Sequence, residues 1–234
     1  MPADHGQSIV GYRAVAARYD HATRRINRIR LQAVDALQLR PGQTVLDVGC
    51  GSGFSFAAIL GAIGPTGCLL AFDHSPELLA IAKGRIADAG WENVVLREST
   101  AEQVDFRGVL AARNVPPPSA LLFSYVHDVL QSKAALDNLF AQAAPGARVA
   151  MCGTKLWPWW GWPVNLYLRV THRHYITNRD ENFDRPWAKI ATRLEDFGVE
   201  VRWPPGWRYV GGGYIAGARE KDTTQTGRPI GLPV

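Results

Sequence analysis

Residues 45–55 read VLDVGCGSGFS: a β-branched run that ends in an acid, then three glycines at alternate positions, then the start of an apolar stretch. Such a run has few ways to fold. A short strand ends near Asp47, and Gly49, Gly51 and Gly53 let the backbone turn tightly and pass close to a ligand. The following FSFAAILGAI (54–63) has helical character and is stopped by Gly64-Pro65. The unit is strand, tight turn, helix.

The unit then repeats. CLLAFD (68–73) reads as a strand, and PELLAIAKGRIADAG (76–90) as a helix with Pro76 near its start and Gly90 at its end. NVVLRE, ALLFSY and ARVAMCG read as further strands, with a helix at SKAALDNLFAQAA before the last of them. Strands alternating with helices imply a mostly parallel sheet covered on both faces. After Gly153 the alternation breaks into a tryptophan-rich segment, a helix expected at RPWAKIATRL, and two strand-like runs at VEVRW and RYVGGGYIAGAR that would add antiparallel strands at one edge.

The expected architecture is therefore a doubly wound α/β fold with a mostly parallel seven-stranded sheet and an antiparallel edge. Ahead of it, apolar Ile26, Ile29, Ala33 and Leu37 recur at helical spacing with Val34 beside them, and Pro41-Gly42 follows as a stop. The organisation reads as an N-terminal helical lid (1–40), a ligand-binding core (41–153), a recognition segment with the final strands (154–219) and a mobile polar tail (220–234).

The ligand of the glycine turn is constrained by charge. A dinucleotide fingerprint is GxGxxG, whose third glycine would fall at Phe54; the spacing here is GxGxG. Asp47, just before the glycines, would repel a pyrophosphate and favour a sulfonium or an ammonium. Asp73, at the end of the second strand, can accept hydrogen bonds from both hydroxyls of a ribose. Together these features describe a cationic nucleoside.

VLDVGCGSG followed by LLAFDHS resembles the class I S-adenosylmethionine-dependent methyltransferases over residues 41 to about 153. The resemblance implies a Rossmann-like methyltransferase fold that binds S-adenosyl-L-methionine and releases S-adenosyl-L-homocysteine. It places Gly49, Gly51 and Gly53, with Cys50 between them, against the methionine part, Asp47 as a polar anchor there, and Asp73, with His74 beside it, on the ribose. The turn after the third strand would bracket the adenine with Thr100, Ala101 and Glu102. FSYVHDV would put Ser124 and Tyr125 near the methionine part and His127 close to the transferred methyl. AARYDHA is similar to the lid of quinone- and small-molecule-methylating members, where Tyr19 would close over the cofactor; Tyr19 and His127 are the catalytic candidates.

Methyl transfer from a sulfonium needs chiefly an in-line nucleophile. His127 is a base for a hydroxyl or acidic-carbon acceptor, or else a packed core histidine. The Asn/Asp-Pro-Pro-aromatic motif of base-methylating enzymes is absent after the fourth strand, which argues against nucleic acid as acceptor. Four of the eight tryptophans lie in LWPWWGW. Trp157, Trp159, Trp160 and Trp162, with Tyr167, would form an aromatic wall for a flat or greasy acceptor, a membrane-interface anchor, or a roof over the core.

The net charge is +5, and seven arginines stand against three acids in the first 40 residues, which favours acidic partners or a membrane surface unless they form a solvated helix face. Three widely spaced cysteines and the absence of a secretory leader point to a reducing, cytoplasmic setting and to no metal site. The expected activity is methylation of O, N or C on a small, largely apolar or aromatic metabolite. The alternatives are a membrane-associated quinone or phospholipid-headgroup methyltransferase and a non-methylating binder of the same cofactor, cyclase-like or sensor. A homodimer and peripheral membrane contact are both compatible with the sequence.

Overall fold

The computed structural model describes residues 27–155, 166, 185–202 and 208–216. Tyr19, Trp157, Trp159, Trp160, Trp162 and Tyr167 lie outside the described residues.

The chain enters through the described part of a helix, α1 (27–36), and runs through β1 (Thr44–Val48), α2 (Phe56–Ile63), β2 (Cys68–Asp73), α3 (Pro76–Ala89) and β3 (Val94–Glu98). It continues through α4 (Arg107–Arg113), β4 (Ala120–Ser124), α5 (His127–Gln131), α6 (Lys133–Phe140) and β5 (Arg148–Thr154), and after an undescribed segment through α7 (Ala188–Ala191), β6 (Leu194–Arg202) and β7 (Arg208–Ile215). The strands form one sheet in the order β3-β2-β1-β4-β5-β7-β6. The first five are parallel, and β7 runs antiparallel to both β5 and β6. This is the seven-stranded, doubly wound sheet with an antiparallel edge that the strand–helix alternation implied.

The continuous apolar character of β1, β2 and β4 follows from burial on both faces. Side chains alternate between the two sides. Leu46, Leu70, Phe72 and Leu121 pack with Leu110, Leu136 and Leu139 on one side; Val45, Leu69, Ala71 and Leu122 pack with α1 and α2 on the other. On α1 and the turn that follows it the buried residues are Ile29, Arg30, Ala33, Val34, Ala36 and Leu37. The period of two also assigns Asp47, Asp73 and Ser124 to the α1 side, since each follows a residue of that cluster by two positions.

Local chemistry sets the helix ends. Ser75 caps α3 by accepting the Leu78 N–H at 3.3 Å, with Pro76 in the first turn, and Gly90 closes it at φ 65°. Three elements differ from the sequence reading. α4 and α5 span seven and five residues, too short for helical periodicity to register. The helix expected at 185–194 is confined to Ala188–Ala191, because β6 already begins at Leu194 and accommodates a bulge between Glu195 and Gly198.

Candidate cofactor and active site

Strand order reverses between β1 and its neighbours β2 and β4, so the crevice at their C-terminal ends is the topological switch point where open α/β sheets bind ligands. The glycine turn leaves β1 there. Gly49 has φ 59°, and a Cβ on it would come within 2.4 Å of Val126 Cγ1, so the turn and the loop after β4 touch backbone to side chain. Gly51 has φ 56°, yet its Cβ would meet nothing closer than Leu78 Cδ1 at 3.8 Å. A Cβ there would make only an ordinary contact, so the positive φ rather than crowding is what favours glycine at this point. Cys50 is fixed by its N–H, which donates to the Phe72 carbonyl at 2.9 Å. Burial pushes its thiol well above the ordinary value, which keeps it protonated and removes it as a nucleophile.

Asp73 joins the ends of β1 and β2. Its Oδ2 accepts the Gly51 N–H at 2.8 Å and its Oδ1 accepts the Ser75 N–H at 2.9 Å. Each carboxylate oxygen has two lone pairs, so both keep an acceptor position for a diol. Burial raises its pKa against these two amides and the His74 ring, whose Nδ1 lies 3.7 Å from Oδ1. The Asp73 carbonyl in turn accepts the Ser99 N–H at 3.0 Å, which brings the turn after β3 alongside.

That turn carries Thr100, Ala101 and Glu102, and α6 holds it in place. Ser132 Oγ donates to Glu102 Oε1 at 2.7 Å, and Asn138 Nδ2 donates to the carbonyls of Ala101 and Val104, each at 2.9 Å. Gln142 adds a bond in each direction, accepting the Phe106 N–H at 2.8 Å and donating to the Val104 carbonyl at 2.8 Å. Arg97, Glu98, Ser99, Gln103, Val104 and Asp105 border a cavity of about 300 Å³ at the same place.

Asp47 is buried to 1% exposure, and Ser55 Oγ donates to its Oδ2. Desolvation lifts its pKa to about 7, opposed by the Ser55 hydrogen bond and by the charge of Arg30. Arg30 reaches this point from α1. Its Nε donates to Ser124 Oγ at 3.0 Å, and its guanidinium lies 5.3 Å from the Phe54 ring centroid and 5.7 Å from that of Tyr125. Ser124 ends β4, and Tyr125 after it takes φ 62°, a conformation a bulky residue adopts at a cost of about 1 kcal/mol or more. His127 opens α5. Desolvation lowers its pKa to about 4, Asp128 opposing and Lys189 assisting the shift. Lys189 reaches it because α7 returns to α5, with Lys189 Nζ donating to the Gln131 carbonyl at 2.7 Å and Gln131 Nε2 to the Pro186 carbonyl at 2.9 Å.

The structure thus brings Asp47, Gly49, Cys50, Gly51, Gly53, Asp73, His74, Ser124, Tyr125 and His127 to the C-terminal end of the sheet, with the turn bearing Thr100, Ala101 and Glu102 beside Asp73. Among the described residues, no cluster of three or more His, Cys, Asp or Glu is arranged to hold a metal ion.

Known proteins point the same way. Residues 14–103 match the model of the protein-L-isoaspartate(D-aspartate) O-methyltransferase family. A protein-L-isoaspartate O-methyltransferase of Methanothrix thermoacetophila is 29% identical over 121 residues, covering 50% of each chain. A demethylmenaquinone methyltransferase of Halalkalibacterium halodurans is 34% identical over 77 residues, covering 33% of this chain and 31% of that one. The chain spans half or less of the length of these two relatives. In three dimensions, a SAM-dependent methyltransferase from Aquifex aeolicus superposes with a TM-score of 0.51 at 20% identity, covering 80% of this chain and 93% of that one. The chain has the fold of the class I S-adenosylmethionine-dependent methyltransferases.

The residues present fit S-adenosylmethionine, the cofactor of the enzymes with this fold. Asp73 keeps acceptors for a ribose, the positive φ of Gly49, Gly51 and Gly53 makes a tight turn beside it, and the buried acid Asp47 suits a cation. Three supporting residues of this candidate site were not singled out from the sequence. Ser55 and Ser75 hold the two aspartates, and Arg30 enters from α1. A signal for Arg30 exists: it stands three, four and seven residues before Ala33, Val34 and Leu37, on the buried lattice of its helix.

Proposed function

We propose that the chain moves a methyl group from S-adenosylmethionine to an oxygen, nitrogen or carbon of a small, largely apolar or aromatic metabolite. The observation that carries this reading is the Asp73 carboxylate, held by the Gly51 and Ser75 amides beside the glycine turn. Bound there, the cofactor supplies a methyl already activated on a sulfonium. What remains for the chain is to exclude water, to hold the acceptor in line and to receive its proton. His127 is neutral at neutral pH and so is ready to accept a proton, although its low pKa gives little driving force. Acceptors that are already nucleophilic, such as amines, thiols or stabilised carbanions, ask least of such a base.

The acceptor side rests on the aromatic segment at 157–167, with Trp157, Trp159, Trp160, Trp162 and Tyr167 as its wall. Two other acceptors have an observation behind them. The Halalkalibacterium halodurans relative is named for a demethylmenaquinone, which matches the quinone alternative. The family model is named for isoaspartyl groups in protein, but its match stops at residue 103, before His127 and all five aromatic candidates.

Calorimetry with S-adenosylhomocysteine tests the first step, and no binding at millimolar ligand would sink the proposal. Incubation with methyl-labelled cofactor and a fractionated cell extract tests the second. Label in a small soluble or organic-phase molecule supports a metabolite or a quinone, respectively, whereas label in precipitated protein overturns both. Replacing Trp159 or Trp160 by alanine is expected to weaken acceptor binding and leave cofactor binding nearly unchanged. Equal loss of both would mean that the rings pack the core.

A further inference from the structure

We propose that the methyl acceptor is a planar aromatic anion, with its ring against Trp187 and its charge toward Lys189. The proposal deepens the function stated above and rests on it.

Trp187 lies apart from the tryptophan cluster in the sequence and at the site end of the sheet in the structure. It meets Tyr209 edge-on, with ring centroids 4.7 Å apart at 61°. Tyr209 pairs with Gly153 near the C-terminal end of β5, one residue beyond the pair of Ser124 with Cys152, so both rings lie where the crevice opens. A Cβ on Gly153 would come within 2.9 Å of Tyr209 Oη, which leaves room for that ring only beside a glycine. Tyr209 and Ile190 pack in the same cluster as Val126 and Leu130, and Trp187 packs against it, so the pair is on the α5 side of the sheet. Tyr209 is 2% exposed, whereas Trp187 is half-buried. One ring belongs to the core, and the other keeps surface for a ligand.

Trp187 is held in place from α5. Gln131 Nε2 donates to the carbonyl of buried Pro186 at 2.9 Å, which ties the backbone one residue before Trp187 to the helix that begins at His127. Lys189 Nζ donates to the Gln131 carbonyl at 2.7 Å, and this exposed residue carries its positive charge along the same face. The charges around His127 are ordered across the crevice. Asp128 acts on Asp73 as well as on His127, which sets it toward the cofactor end, while Lys189 acts on His127 from the α7 side. An acceptor that approaches His127 from that side meets an indole surface and a cation, the complement of a flat ring bearing a negative group. A cationic amine would be repelled there.

The test is calorimetry on protein saturated with S-adenosylhomocysteine, with naphthoate and naphthylmethylammonium as probes, which share a ring system and differ in charge. Wild type is expected to bind naphthoate at least about tenfold more tightly than the cation, and Lys189→Met to abolish that preference by weakening naphthoate alone, on the scale of one charged hydrogen bond. Trp187→Leu is expected to weaken both probes about tenfold and to leave S-adenosylhomocysteine within about twofold. No naphthoate binding at millimolar concentration, no preference for the anion, or a preference that survives Lys189→Met overturns the proposal. Equal loss of probe and S-adenosylhomocysteine affinity in Trp187→Leu makes the ring a packing residue and overturns it too. If Trp187→Leu does not fold, Trp187→Phe, which keeps a ring against Tyr209, carries the same comparison with a smaller loss. Lys189 is exposed, so its variant decides the charge in either case. Wild type that binds no S-adenosylhomocysteine overturns the cofactor reading, and this proposal with it; cofactor binding without naphthoate binding overturns this proposal alone.

Discussion

The Asp73 carboxylate and the Gly51 amide meet at 2.8 Å across 22 residues of chain, so the glycine turn of β1 is fastened to the end of β2 by the same group that we propose as the ribose acceptor. Asp73→Asn tests this double use. The amide that replaces one oxygen cannot accept both backbone N–H groups and also two hydroxyls. Cofactor affinity is expected to fall at least about tenfold, the scale of a charged hydrogen bond, with a smaller loss of stability. Calorimetry with S-adenosylhomocysteine and a thermal melt read the two effects, and an unchanged affinity would remove Asp73 from the site.

Gly49 is constrained twice, by φ 59° and by Val126 Cγ1 at 2.4 Å from a Cβ position. Gly49→Ala is expected to cost about 2–4 kcal/mol by urea unfolding, combining an unfavourable backbone with a steric overlap. Shortening the neighbour by Val126→Ala in the same chain should recover part of that loss and not all of it, since the backbone cost remains. No recovery at all would mean that the overlap is absorbed elsewhere.

Asp47 has a folded pKa of about 7 against an ordinary 3.8, raised mainly by burial. The folded state therefore binds this proton more tightly than the unfolded state, and the associated stability is present below about pH 4 and is lost as pH rises toward about 7. Asp47→Asn, which has no charge to bury, should gain stability relative to wild type across that window. Chemical unfolding at several pH values gives the difference directly; a difference that does not grow with pH would mean that Asp47 is ionised well below neutrality.

His127 behaves in the opposite sense. Its pKa is lowered from 6.5 to about 4, so the stability tied to its neutral form is present above about pH 6.5 and is lost as pH falls toward about 4. His127→Gln should remove that acid-side loss, narrowing the gap to wild type as the solution is acidified. The same variant assayed on an identified acceptor separates base from bystander. A base shows a fall in kcat with an altered pH profile, whereas a packing residue shows neither.

How much of this was legible in the sequence depended on length and on locality. The sheet could be read because its strands are short apolar runs punctuated by glycine and proline, and the parallel order follows from the alternation. Gly49, Gly51, Gly53, Asp47 and Asp73 could be read because they are local in the chain and their spacing carries the charge argument. Arg30 could not be read as a site residue so directly, because its partner Ser124 is 94 residues away and arginine on an amphipathic helix ordinarily faces water. The helices α4 and α5 span fewer than two helical turns and were invisible to periodicity. Tyr125 gave no sign of its φ of 62°, because that conformation is imposed by the loop after β4 and not by any local preference of tyrosine.

The hydrogen bonds between Ser132, Asn138 and Gln142 and residues 101–106 have a mechanical consequence. The turn beside Asp73 is clamped to α6 and its flanking residues as well as carried by β3, and α6 follows α5, which begins at His127. The two ends of the crevice are thus joined by a strut, so a push on the turn at 102 is delivered to the helix at 132 and from there toward the residue nearest the expected transfer. Amide exchange in the turn should rise and fall together with that of α6, and loosening Asn138 or Gln142 should uncouple them.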